Sequence, residues 1–374
     1  MRAAAPSATR WDNTGMDAPP RIEFVHTSDG ARIAYWKIGR GPAIVQLPAL
    51  PYSHIEAEWQ IPELRRSYEL LALRRTLVRY DGRGTGLSDR HLSASTTEVL
   101  ASDLDAVVGT VSSDPVALLA VINSAPAAVR FAVSNPDRTS HLLMWCPRAQ
   151  GHLQLNDARL DALRNLMRSD WELYTETFAH AFIGWGQSKA SRQFAEFMRA
   201  SVTQEKAIAF HEAVHAFDVL ELLPEIRCPT LVMARESFPF SLPGVFQDIA
   251  NRIPNARLAV FEGDSAVPYL DDWRAIARTV YGFLGETDES IRETMGSRRV
   301  LTLLRGGRHA LSEREQEVID LVVRGYTNRQ IGEALFISEK TVENHIGRIL
   351  AKLDLTSRTR LAAYAVEHGL TKSA

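Results

Sequence analysis

Hydrophobic and polar positions along this chain fall into two regimes. From about Arg21 to Glu286, short apolar runs alternate with amphipathic helical stretches. Six of the runs predict buried strands: AIVQL at 43–47, TLVRY at 76–80, VALLAV at 116–121, HLLMW at 141–145, TLVM at 230–233 and ARLAVF at 256–261. Helical segments separate most of them, which predicts an α/β body with a largely parallel sheet covered on both faces.

From Leu311 onward the pattern is helical only. Ser312 and Glu315 have the spacing of a capping box, Val318, Leu321 and Val322 give one apolar face, and Gly325 supplies a C-cap. Thr327 and Gln330 repeat the box and open a short helix carrying Ile331, Ala334 and Leu335. Phe336 and Ile337 make a turn, and Ser338 caps a third helix with Val342, Ile346, Ile349, Leu350 and Leu353 on one stripe. Lys340, Thr341, Glu343, Asn344, Gly347, Arg348 and Lys352 remain outward. A polar, partly basic face on a helix braced by two others suits the DNA major groove, and Thr327, Asn328 and Ser338 join it as candidate DNA contacts.

The run Leu311-Ser312-x-Arg314-Glu315, Gly325-x-x-Asn328-x-x-Ile331-Gly332, Ser338-x-x-Thr341-Val342-x-x-His345 and Lys352-Leu353 resembles the LuxR/NarL/FixJ-type DNA-binding domain of bacterial regulators. The resemblance covers roughly the last sixty residues and implies an all-α helix-turn-helix domain at 308–374 with double-stranded DNA as partner. It also implies a homodimer formed through a last helix at Ser357 to His368, with Leu361, Ala362, Ala365 and Val366 as its stripe, and RNA polymerase as a further partner. Glu343 departs from the pattern, standing where many relatives place a basic residue. A carboxylate there favours accepting from cytosine amino groups and repels phosphate.

Charge agrees with this division. The 374 residues are long enough for more than one domain, and the net charge is −2. From Ser297 to the end there are 13 Lys and Arg against 9 Asp and Glu, leaving 30 against 36 before it. The positive end is the end with the DNA-reading pattern. The two cysteines, Cys146 and Cys228, are far apart and lie in no metal-ligand spacing, so neither a disulfide framework nor a metal site is expected. No cofactor motif is read: neither a receiver-type aspartate pattern nor a Walker-type loop occurs. No apolar run reaches a membrane span. Residues 1–20 lack the apolar core of a signal peptide and are expected to be a disordered leader, with Met16 an alternative start, in a cytoplasmic protein.

Three landmarks make the body at 21–286 resemble the α/β-hydrolase fold. They are the glycine-rich Tyr80-Asp81-Gly82-Arg83-Gly84-Thr85-Gly86-Leu87-Ser88-Asp89, the strand-to-helix passage from Leu118 to Arg138, and Cys228-Pro229-Thr230-Leu231-Val232 followed by Val260-Phe261-Glu262-Gly263 and Val267-Pro268. The resemblance implies a sandwich with a helical lid, expected at about 153–223, and a linker at 287–307. It also implies a nucleophile on a tight elbow, then an acid, then a histidine. Here Ile122 falls at the nucleophile, Ala266 at the base, and Glu236 or Ser237 near the acid. Isoleucine has no lone pair with which to attack a carbonyl, so the usual acyl transfer cannot run.

A pocket outlives its catalytic groups. The lid is rich in large rings, Trp171, Tyr174, Phe178, Phe182, Trp185, Phe194, Phe197 and Phe210, most of them expected in the core and a few in the pocket. The expected ligand-binding set is Tyr52, His54, Trp59, Ile122, Asn123, Trp171, Tyr174, Glu236 and Ala266, around a small, largely apolar molecule. The leading expectation is a ligand-responsive transcriptional regulator that is not an enzyme. Two alternatives stand: an active serine-type hydrolase that also binds DNA, with Ser124 as a displaced nucleophile or His54 in other chemistry, and a constitutive DNA-binding protein whose body only dimerises.

Overall fold

A computed structural model describes residues 19–90, 95–151, 157–183, 188–238, 242, 244–263, 265–268, 273–287, 289–291, 313–353, 355 and 357–367. Most of the expected leader with Met16, most of the expected linker at 287–307, the Ser312 cap and His368 lie outside them. The chain parts into two compact units between Phe283 and Leu284.

The first unit is built on one sheet of eight strands. They are β1 Glu23–His26, β2 Arg32–Gly39, β3 Ala43–Gln46, β4 Thr76–Tyr80, β5 Val116–Val121, β6 Thr139–Trp145, β7 Thr230–Arg235 and β8 Ala256–Phe261, in the order β1-β2-β4-β3-β5-β6-β7-β8. β2 runs antiparallel to β1 and β4, and the pairs from β4 through β8 are parallel. All six expected strands are present. β1 and β2 are additional: β1 is four residues long and alternates half-buried with exposed positions, so it has no apolar run to read.

Two-residue alternation positions the site. On β5, Val116, Leu118 and Ala120 face a core shared with helices α3 (Thr97–Val111), α4 (Ala125–Ser134) and α9 (Val245–Arg252), while Leu119 and Val121 face a cavity on the other side. Between β6 and β7 the chain leaves the sheet for the lid helices α5 (Asp157–Ser169), α6 (Trp171–Ile183), α7 (Ser188–Ser201) and α8 (Gln204–Val214). The shorter helices α1 (Ile55–Gln60) and α2 (Pro62–Leu71) follow β3, and α10 (Trp273–Phe283) packs against α2.

Buried charge ties the loops around the cavity together. The Asp81 carboxylate accepts from the Ser53 hydroxyl at 2.7 Å and from the backbone N–H groups of Ile55 at 2.9 Å and Leu87 at 2.8 Å. This joins the glycine-rich turn to the loop before α1. Burial, then the Glu58 charge, pushes the Asp81 carboxyl up to about 7. Gly86 has φ +50°, and a Cβ there would fall 2.2 Å from Asp81 Oδ2, so the turn requires glycine.

The second unit holds α11 (Glu313–Val323), α12 (Asn328–Leu335), α13 (Glu339–Leu353) and α14 (Arg358–Glu367). Thr327 and Gln330 form the expected capping box, and Ser338 Oγ accepts from Thr341 N–H at 3.1 Å. Gly325 adopts φ +82° after α11, as a glycine C-cap does. Val318, Val322, Ile331, Val342, Ile346 and Ile349 meet in one core. One expectation is corrected here. Leu361 and Ala365, assigned to a dimer stripe, are fully buried in this unit's own core, because α14 packs on α11. Val366 is exposed and Ala362 half-buried.

Candidate functional site

β5 ends in a tight turn at Ile122, the position where the sequence resemblance led us to expect a nucleophile. Ile122 sits at φ +51° and Cys146, at the end of neighbouring β6, at φ +43°. Among the described residues, only Phe336 is a further non-glycine with positive φ. Such a conformation costs about 1–3 kcal/mol and suits a β-branched residue poorly, so the surrounding contacts must hold it. They do. Ser124 Oγ accepts from Val121 N–H at 2.9 Å and donates to the Val121 carbonyl at 3.0 Å. Arg148 N–H donates to the Ile122 carbonyl at 3.2 Å, and Asn123 Nδ2 donates to the Leu50 carbonyl at 2.9 Å.

Ala266, expected from the resemblance at the position of a base, is held in the same way. Ala266 is fully buried, its N–H donates to the Phe182 carbonyl at 2.8 Å, and its carbonyl accepts from Trp145 Nε1 at 2.8 Å. Arg235, at the end of β7, donates to the carbonyls of Glu262 at 2.5 Å and Ser265 at 3.2 Å, with its guanidinium 5.0 Å from the Trp145 ring centre. The loop after β8 is thus fixed by an arginine and a tryptophan. Ser124 is buried with its hydroxyl bound to Val121, and it does not line the cavity.

The cavity encloses about 200 Å³. Its floor is Leu119, Val121, Ile122, Trp145, Met233 and Ala266 at the strand ends. The lid contributes a ladder of rings, Tyr174–Phe178–Phe182–Phe194–Phe197, with successive centroids 5.6, 5.2, 5.6 and 5.8 Å apart. All five line the cavity, more than the few the sequence led us to expect.

A polar group lies among them. The Tyr52 hydroxyl is 2.9 Å from that of Tyr174 and 3.4 Å from His211 Nε2. Burial, then the charges of Arg148 and Arg164, pulls His211 down to about 3, so its imidazole is neutral at pH 7. Asn123 Oδ1 and Gln46 Oε1 are buried on the wall without a donor.

Of the residues expected at the ligand, Tyr52, Ile122, Asn123, Tyr174 and Ala266 line the cavity. His54, Trp59, Trp171 and Glu236 are not on its wall, for separate reasons. His54 Nδ1 accepts from Ala57 N–H at 3.3 Å as the cap of α1. Trp59 packs edge-on against Trp36 at 5.7 Å, and Trp171 stacks on Tyr174 at 5.5 Å. Glu236 is exposed beyond the end of β7. Arg148, Arg164, His211 and His215 line the wall and escaped the sequence reading. His211 and His215 are one helical turn apart, a spacing that could have marked them.

On the helix-turn-helix unit, Lys340, Glu343, Asn344 and Gly347 are exposed on α13 and Thr341 is half-buried. The side chains of Arg348, Lys352 and Leu353 lie outside the description. Lys340 Nζ donates to Glu343 at 2.9 Å, so the departing carboxylate holds the neighbouring lysine. Asn328 Oδ1 accepts from Arg358 at 2.7 Å, which fastens the start of α12 to α14.

Comparison with known proteins agrees with both units. Residues 309–365 match the family described as bacterial regulatory proteins, luxR family. The chain is 48% identical over 64 residues to the transcriptional regulatory protein DegU of Brevibacillus brevis, covering 17% of this chain and 27% of that protein. It is 52% identical over 56 residues to LiaR of Bacillus subtilis, covering 15% and 26%. The match thus spans about a quarter of those relatives' length. An esterase from Thermogutta terrifontis superposes with TM-score 0.60 at 18% identity, covering 71% of this chain and 98% of that one. A hydrolase from Pseudomonas aeruginosa gives TM-score 0.62 at 20% identity, covering 71% and 98%. The C-terminal unit is therefore a LuxR-family helix-turn-helix domain, and the N-terminal unit has the α/β-hydrolase fold. Among the described residues, no helix is long and apolar enough to cross a membrane.

Proposed function

We propose that this chain is a cytoplasmic, ligand-responsive transcriptional regulator that binds double-stranded DNA through α13 and senses a small, largely apolar molecule in the hydrolase-like cavity without turning it over. The observation that carries the reading is Ile122 in the strained elbow, facing an apolar cavity whose base position is alanine. Strain persists where surrounding structure supports it, often at functional sites, and here it places a hydrophobic side chain where a nucleophile would stand. The orphan acceptors Asn123 Oδ1 and Gln46 Oε1 would orient a ligand by taking hydrogen bonds from its donors.

The test is a trio of measurements on the full chain. Wild type should show no turnover of generic esters, and Ile122→Ser should not create it, because the new hydroxyl has no base at Ala266. Ile122→Trp should fill the cavity floor and abolish ligand-induced thermal stabilisation while leaving DNA affinity without ligand unchanged. Ester hydrolysis by wild type that disappears in Ser124→Ala would overturn the non-catalytic reading. An unchanged ligand response in Ile122→Trp would move the sensor elsewhere.

DNA binding has its own signature. Lys340→Ala is expected to weaken binding and reduce the slope of log affinity against log salt by about one unit. Glu343→Gln should act in the opposite direction, since it frees Lys340 and removes a charge that repels phosphate. A slope unchanged by Lys340→Ala would exclude the proposed docking. The reading includes a homodimer on paired half-sites, with RNA polymerase as the downstream partner; light scattering with and without DNA tests the dimer.

A further inference from the structure

On the polar side of the cavity lies a positive charge that no carboxylate among the described residues meets. Arg148 follows β6, and its N–H bond to the Ile122 carbonyl starts its side chain beside the elbow, from where it lines the cavity. Its Nε is sealed and has no acceptor, and among the described residues no carboxylate pairs with its guanidinium. Its neighbours do not compensate. Arg164 is paired with Asp161 at 2.8 Å and acts on Arg148 as a like charge, and His211 beside it is neutral. Glu58, a carboxylate on the cavity wall, is taken by Arg79 and Tyr68. Burial, then the Arg164 charge, lowers Arg148 to about 10, which leaves it charged at pH 7.

A half-buried guanidinium with no counter-charge among the described residues is costly in the empty protein and becomes favourable once an anion joins it. Its planar fork fits a carboxylate with two parallel hydrogen bonds. One free guanidinium beside neutral Tyr52, Tyr174 and His211 matches a single negative charge rather than a phosphate dianion. We propose that the ligand is an amphipathic carboxylic acid whose carboxylate pairs with Arg148 and whose apolar body lies along the lid's aromatic ladder. This rests on the reading of the cavity as a ligand site. A cavity of about 200 Å³ suits a medium-chain or bicyclic aromatic acid better than a long-chain lipid.

The experiment compares acids with their neutral amides on the full chain: decanoate against decanamide, and 2-naphthoate against 2-naphthamide. Calorimetry and thermal shift are run at pH 7.5, below any micelle-forming concentration. At least one acid is expected to bind about tenfold or more tightly than its amide, the effect of a charge-assisted hydrogen bond. In Arg148→Gln the preference for the acid over its amide should fall to about twofold or less, whereas Arg148→Lys should keep part of it. Without ligand, Arg148→Gln should melt no lower than wild type, because it removes an uncompensated charge. Equal binding of acid and amide by wild type, or a preference that survives Arg148→Gln, would overturn the anion inference and leave the apolar cavity standing. A lower melting temperature for unliganded Arg148→Gln would also overturn it, by revealing a structural partner. Failure of all four compounds to bind would overturn the ligand-site reading itself.

Discussion

Arg79→Met is expected to destabilise the N-terminal unit by about 3–5 kcal/mol, because it leaves the Glu58 carboxylate buried without its counter-charge. Both side chains are nearly inaccessible and meet at 2.5 Å. Tyr68 stands between them, donating to Glu58 at 2.7 Å and accepting from Arg79 Nε at 3.1 Å. Arg79 also donates to the carbonyls of Tyr80 at 3.0 Å and Gln46 at 3.3 Å, so its loss frees acceptors on two adjacent strands. Urea denaturation followed by tryptophan fluorescence measures the cost. Arg79→Met combined with Glu58→Leu should recover a substantial part of it, since replacing both members of a buried pair removes the unpaired charge. A single-variant cost below about 1 kcal/mol would mean that water or another group already satisfies Glu58.

Gly332→Ala is expected to have the largest effect on the helix-turn-helix domain. A Cβ at 332 would lie 2.7 Å from the Ile337 carbonyl oxygen, in the tight turn between α12 and α13. Backbone has to move to accommodate it, and overpacking of this kind costs about 1–3 kcal/mol. A domain this small has only a few kcal/mol in total, so DNA binding should fail at a lower temperature than in wild type. Gly347→Ala is the control. Nothing lies within 4 Å of a Cβ there, so alanine should raise the stability of α13 by about 0.5–1 kcal/mol. Melting curves of the two variants that coincide would contradict the assigned turn geometry.

The helix-turn-helix domain was almost fully legible because its signals are local. Thr327 with Gln330, Ser338 before α13 and Gly325 after α11 act within one helical turn, and each forms as the spacing implies. Its last helix was less legible. A stripe of Leu361, Ala362, Ala365 and Val366 looks alike whether it meets another copy or its own domain, and packing assigned Leu361 and Ala365 to the interior. Likewise Glu343 reads as a departure from a pattern, while its bond to Lys340 appears only once α13 is formed.

The cavity was legible in its floor and largely hidden in its wall. Ile122 and Ala266 could be placed because the elbow and the loop after β8 lie at fixed offsets from recognisable landmarks. Trp59 and Trp171 were expected there as large rings near the right segments, but Trp36 and Tyr174 take their faces. Arg148 carries no local signal of what it faces, since it follows a strand end, and the one-turn spacing of His211 and His215 marks a shared helix face without saying what that face meets.

By itself the sequence determined the α/β body, its six parallel strands, the absence of a hydroxyl and an imidazole at positions 122 and 266, and a DNA-binding domain of known type. These follow from periodicity, capping and residue chemistry, which act over a few positions. Tertiary structure decided that Ile122 adopts a strained positive φ, that five lid rings line the same cavity, and that Arg148 stands at the cavity without a partner among the described residues. The physical reason is that burial and charge compensation belong to groups far apart in the chain. Whether an arginine is paired depends on what the fold brings beside it.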